Sequence, residues 1–132
     1  MTLRHVCLSL LGLAVAPPAW GQAIRHLSAD DSVAIIATGP AQVPNQPLGL
    51  LIRFYPYGSL EDTARLRRLA HELWHQMQRQ VDSAGTSWVV LQATDQTPEP
   101  HVGYWKVRNY GFVVQKHTDG KWYLLHDTKP FE

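Results

Sequence analysis

A long amphipathic segment after residue 58 constrains the fold of this chain more than any other feature. Ser59 is predicted to cap a helix, with Asp62 as the capping-box acid, and Gly85 is predicted to end it. Between these ends, apolar residues recur at spacings of three and four and form one stripe. One face of this helix should pack against other structure, while the other meets solvent or a ligand. The stripe consists of Leu66, Leu69, Ala70, Leu73, Met77 and Val81.

Segments rich in β-branched and aromatic residues flank the predicted helix. Residues 32–38 and 48–55 read as strands before it, and strands after it are predicted from Trp88 onward and over residues 102–108. A hairpin around Asp119 follows. The prediction is an α+β domain with an antiparallel sheet of about five strands, in the order β-β-α-β-β-β. One long amphipathic helix packs on one face of this sheet.

The predicted hairpin assigns side chains to two faces of the sheet. Asp119 and Gly120 lie between alternating apolar runs, which is a strong hairpin signal. If these two residues form the loop, one face is apolar and predicted to join the core: Phe112, Val114, Tyr123 and Leu125. On the opposite face Trp122 is predicted to be the exposed anchor of a binding surface, together with Gln115, His117 and His126.

The N-terminal residues have the pattern of an export signal. Arg4 precedes an apolar stretch of about a dozen residues, and small residues then allow cleavage after Gly21 or Ala23. The domain prediction is therefore a cleavable signal peptide over residues 1–23 and a single small domain over residues 24–132. The lone cysteine, Cys7, falls within the signal. No second apolar stretch follows, so the mature chain should have no transmembrane segment and should be periplasmic or secreted.

The charge balance argues against nucleic acid as a partner. The twelve basic side chains of the full chain include Arg4, so eleven basic residues balance eleven acidic ones after the predicted cleavage. A neutral surface offers no general attraction for phosphate backbones.

One short motif invites a catalytic interpretation. His71, Glu72 and His75 match H-E-x-x-H on the predicted helix, where two histidines four apart can bind one zinc ion and the glutamate can act as general base. A third ligand is required, and the nearby candidates after the helix are Asp95, Glu99 and His101. The same residues also lie on the polar side of the helix, where Arg68 can pair with Glu72. A solvated surface is therefore the favoured interpretation.

The sequence favours a non-enzymatic binding or accessory domain, for example of inhibitor or immunity type, that needs no cofactor. Its predicted partner is another envelope or secreted protein. The alternative is a minimal zinc metallohydrolase that uses His71, Glu72 and His75. A pocket for a small ligand between helix and sheet is a third hypothesis.

Overall fold

The computed structural model describes residues 24–27, 31–98 and 106–132. The predicted signal peptide lies outside these residues, and so does most of the strand predicted over 102–108, of which residues 106–108 are not in a strand. The described part is an α+β fold with one helix and one sheet. Its elements are β1 (Ile24–His26), β2 (Ser32–Ala41), β3 (Gly49–Tyr55), α1 (Thr63–Ala84), β4 (Trp88–Thr94), β5 (Asn109–Lys116) and β6 (Trp122–Leu124).

The six strands lie side by side in the order in which they occur along the chain. All neighbouring pairs are antiparallel except the central pair of β3 and β4, which is parallel. The predicted sheet of about five strands is close to the observed six, but the prediction that all its pairs are antiparallel is wrong. The connection explains it, because a 22-residue helix of about 33 Å carries the chain back along the sheet before the next strand begins.

Helix α1 begins later than the sequence suggests. Its N-cap is Asp62, whose Oδ1 accepts a hydrogen bond from the Arg65 amide at 3.1 Å. Ser59, the predicted cap, instead accepts from the Glu61 amide at 3.0 Å and closes a bend ahead of the helix. Leu60 within this bend is buried, so the bend serves packing before the helix starts. The predicted end is confirmed, since Gly85 adopts a left-handed conformation with φ of 73°.

The stripe predicted for the helix forms the core of the protein. All six of its residues are fully buried, together with Trp74, which the predicted stripe does not include. They pack in one cluster with alternate residues of the sheet, such as Ile52, Phe54, Val89 and Leu91. One face of the sheet is thereby covered by α1.

The hairpin between β5 and β6 has a different register from the predicted one. Lys116 pairs with Trp122, and the His117 amide donates to Lys121 O at 2.9 Å, so the loop has three residues rather than two. Gly120 ends it with φ of 81°, as such loops require. A shift of one residue turns every side chain of a strand to the opposite face. Trp122 is therefore a core residue, only 3% exposed, and its predicted place on the outer face is wrong.

Candidate functional site

The sheet face opposite α1 carries a row of aliphatic side chains across its middle. Leu51 of β3 pairs with Val90 of β4, and Val90 pairs with Val113 of β5. Leu125 continues the row, because its amide donates to Val113 O at 2.9 Å. The first three side chains are partly exposed, and Leu125 is 45% exposed. Within the described ranges, no second helix or sheet packs on this surface, hereafter the outer face.

Polar residues border the aliphatic row on one side. Arg53 of β3 donates from Nε to Oε1 of Gln92 on β4 at 2.7 Å, so the guanidinium is held against the sheet. On β5, Gly111 pairs with Gln92 and adds no side chain to this border. Among the side chains that the described strands place on the outer face, Arg53 is the one that carries a charge. The outer face is therefore nearly neutral, and hydrogen-bonding groups lie at its edge.

Aromatic residues and an amide border the row on the other side. Trp88 lies across Gly49, and its indole Nε1 donates to Pro47 O at 2.7 Å, which ties the β2–β3 loop to the sheet. Gln115 lies between Trp88 and Tyr123 in the sheet register. Tyr123 and Gln115 are both partly exposed. The row thus has polar groups on one flank and aromatic groups with an amide on the other, an arrangement typical of protein-binding surfaces.

The four predicted binding residues fall in three different places. Gln115 is on the outer face, and His117 follows it, where its ring stacks on Tyr123 with centroids 4.0 Å apart. Trp122 points the other way, with its ring 5.0 Å from that of Trp74 and its Nε1 donating to Asp82 at 3.0 Å. His126 lies in a turn after β6 with φ of 72°. The aliphatic row itself was missed, because the predicted register placed Leu125 in the core.

The H-E-x-x-H residues lie on α1 beside the C-terminal segment. The rings of His71 and His75 meet edge to face with centroids 4.9 Å apart, and the His71 ring also contacts Phe131 at 5.0 Å. Glu72 Oε2 lies 3.5 Å from Nη1 of Arg68, which confirms the predicted pairing of these two residues. His71 is partly buried and His75 is exposed.

The structure does not bring the predicted third metal ligands to these histidines. Asp95 follows β4, where its carboxylate accepts from the Arg108 amide at 2.7 Å and from the Arg108 Nε at 3.1 Å. These contacts, above all the backbone hydrogen bond, hold the pKa of Asp95 below its usual value. Glu99 and His101 lie outside the described residues. In the ranges that the structure covers, no three acidic, histidine or cysteine side chains form a group that could hold a metal ion.

A cleft of about 640 Å³ lies between α1 and the C-terminal segment. Arg67, Arg68 and His71 line it from the helix, and His126 to Glu132 line it from the other side. Arg67 forms an ion pair with Asp127 at 2.8 Å, and Arg68 forms one with Asp31, also at 2.8 Å. The basic groups of the cleft are thus largely neutralised within the protein. No pattern in the sequence indicates this cleft, because its two walls are separated by roughly sixty residues.

Burial of His71 gives the stability of the domain a dependence on pH. Burial, followed by the neighbouring His75, lowers the pKa of His71 below 6.5, and Glu72 opposes this shift only in part. The unfolded chain therefore binds a proton at a pH where the folded protein does not, so the free energy of unfolding should fall as the pH drops below about 6.5. We expect His71→Gln to remove part of this fall when urea unfolding is compared at pH about 7.5 and about 5.5. An unchanged difference between the two pH values would show that His71 does not contribute.

No helix in the described ranges is long and apolar enough to cross a membrane. Comparison of the chain with protein-family models, with curated proteins and with solved structures found no match.

Proposed function

We propose that this protein is an exported, non-enzymatic domain that binds another envelope or secreted protein through the outer face. The observation that carries the proposal is the aliphatic row of Leu51, Val90, Val113 and Leu125 on a sheet face that no described element covers. Export is inferred from the signal-like pattern of residues 1–23.

The composition of the outer face favours a protein as the partner. Sheets with one solvated face usually alternate apolar residues inside with polar residues outside, whereas here the centre of the outside is aliphatic. A contiguous apolar patch with a polar border is the arrangement of a protein contact, and single exposed apolar residues are not. Arg53 is already bonded to Gln92, so the surface offers little charge to a nucleic acid or an acidic lipid. An inhibitor or immunity-like role agrees with such a surface.

Photo-crosslinking in the cells that produce the protein tests this proposal. A photoreactive amino acid placed at Val90 should form an adduct with a second protein, while the same group at Gln80, exposed on α1, should not. As a second measurement, Val90→Arg should abolish capture of that protein, and Gln80→Arg, which adds the same charge elsewhere, should not. Absence of an adduct at position 90, or equal adducts at both positions, would overturn the proposal.

Zinc hydrolysis is the second candidate, and the close His71 and His75 rings are the observation in its favour. These residues would supply two of the three protein ligands that a catalytic zinc site needs. Under the binding proposal, the purified domain should take up no stoichiometric zinc at micromolar free metal. Stoichiometric zinc that is lost in the double variant His71→Ala, His75→Ala would favour the hydrolase, and Glu72→Gln would then test the general base.

A further inference from the structure

One edge of the sheet is open next to the outer face. The Lys116 amide donates to Ser87 O at 2.8 Å, and the Asp95 amide donates to Arg108 O at 3.1 Å. Even-numbered residues of β5 and of its extension to Arg108 therefore bond to β4, because hydrogen-bonding direction alternates along a strand. The amide and carbonyl groups of Val107, Asn109 and Gly111 consequently point away from β4, toward the edge.

Strand β6 covers only the far end of β5. It pairs with Val114 to Lys116, and Leu125 adds one more bond to Val113. The chain then turns away at His126, whose left-handed conformation ends the strand direction. The later segment bonds to β6 instead, through the Phe131 amide to Trp122 O at 2.8 Å. In the described part of the chain, no strand lies beside residues 107–112, a length of about 20 Å at roughly 3.3 Å per residue.

This edge lacks the two interruptions that hinder strand pairing on the opposite side of the sheet. The opposite side of the sheet also has an uncovered stretch, since β1 pairs only with Ser32 to Ala34 of β2. That stretch is interrupted by an irregularity between Ile35 and Ala37 and by the exposed Pro40, both of which hinder pairing. Residues 107–112 contain no proline, and the pairing of Asn109 to Phe112 with β4 is regular. Their edge is therefore the better template for a further strand.

A second copy of this chain is the other candidate occupant of the edge. A symmetric antiparallel pair centred on Gly111 is obstructed, because Asn109 of one copy would meet Val113 of the other, which already accepts from Leu125 of its own chain. A pair centred on Asn109 avoids Val113 and would set Val107 against Gly111. A free peptide segment is not restricted to a symmetric register, and a rise of exchange protection with protein concentration would reveal the second copy instead.

We propose that residues 107–112 bind an extended peptide segment of the partner protein as a seventh strand. This inference rests on the proposed function, because it takes the partner to be a protein, and it adds where and how the partner binds. Main-chain hydrogen bonds to Val107, Asn109 and Gly111 supply the attachment. On the outer face, the added strand can place a large side chain beside Gly111, which has no side chain of its own. On the opposite face, its side chains would contact Tyr110, which is 40% exposed. The favoured segment is therefore uncharged and rich in aromatic or β-branched residues.

Hydrogen exchange of the free domain gives the first test. The amides of Asn109 and Gly111 should exchange rapidly, while those of Tyr110 and Phe112, which bond to β4, should be protected. Slow exchange at Asn109 and Gly111 in the free domain would overturn the proposal, because the edge would already be covered. If that protection rises with protein concentration, the cover is a second copy, and otherwise it is another segment of this chain.

Peptides selected from a random display library of about twelve residues on the mature domain give the second test. The selected peptides should protect the amides of Asn109 and Gly111, and Gly111→Pro should weaken their binding at least about tenfold by removing an outward amide. Gly111→Ala keeps the outward amide and is the matched control, so it should bind clearly more tightly than Gly111→Pro; its methyl would lie 3.5 Å from Val90, an ordinary contact. Asn109→Pro repeats the test should Gly111→Pro fail to fold. Failure to select peptides, or equal binding by the proline and alanine variants, would overturn the proposed edge site. Crosslinking at Val90 tests the outer face independently of this result.

Discussion

Replacing Trp74 by alanine is expected to lower the free energy of unfolding by about 3–5 kcal/mol, a large part of the stability of a domain of this size. The indole is fully buried between α1 and the sheet, with ring centroids 5.0 Å from Trp122 and 6.4 Å from Phe131. Alanine would remove these contacts and leave a cavity in the centre of the core. Urea unfolding followed by far-ultraviolet circular dichroism measures the loss without relying on tryptophan fluorescence.

The phenylalanine variant provides the control for this prediction. Trp74→Phe keeps an aromatic ring and removes the indole Nε1, a buried atom for which the described residues offer no hydrogen-bond partner. It should therefore cost clearly less than Trp74→Ala. A loss below about 1 kcal/mol for Trp74→Ala would contradict the central packing role of this side chain. The result bears on function, because Trp74 lies inside the H-E-x-x-H sequence and gives that segment a structural role.

Gly49→Ala is expected to be the second most damaging change, with a loss of about 1–3 kcal/mol in the free energy of unfolding. A methyl group at this position would lie 2.7 Å from Cζ2 of Trp88 and closer still to Cε2, which no normal contact permits. The indole would have to move and would lose its hydrogen bond to Pro47 O. Thermal or urea unfolding of the purified variant provides the measurement.

Two further variants isolate the cause of this effect. Gly111→Ala adds the same methyl to the same face of the sheet with no close contact, so it should change stability by no more than about 0.5 kcal/mol. In the background of Trp88→Leu, Gly49→Ala should cost much less than in the wild type, because the clashing ring is gone. Equal costs in the two backgrounds would show that the loss does not come from the Trp88 contact.

Sequence periodicity predicted the elements that depend on local residue patterns. The helix stripe from Leu66 to Val81 is confirmed because amphipathic spacing directly records which side chains are buried. The end at Gly85 is confirmed because a left-handed conformation is strongly tied to glycine. The start was placed too early at Ser59, since both Ser59 and Asp62 are good caps and only packing of Leu60 decides between them.

The binding surface depended on a detail that the sequence leaves open. A loop of two or three residues around Gly120 fits the same turn signal, yet the choice decides whether Trp122 or Tyr123 faces outward. Gln115 kept its predicted face because it belongs to β5, and His117, directly after β5, stacks on Tyr123 of that face. Trp122 moved with the register of β6. The cleft beside His71 could not be predicted, because its second wall comes from distant residues at 126–132.

The agreement between strand order in space and strand order along the chain affects how the molecule can assemble. Each new strand of the described sheet pairs with the strand immediately before it, so no strand has to be inserted between two others. As the chain is synthesised from its N-terminus, each new strand can therefore be added at the same side of the sheet. Contacts between neighbouring segments close short loops, which favours rapid folding. The step from β3 to β4 is the exception, since α1 lies between these strands and a longer loop has to close before they pair.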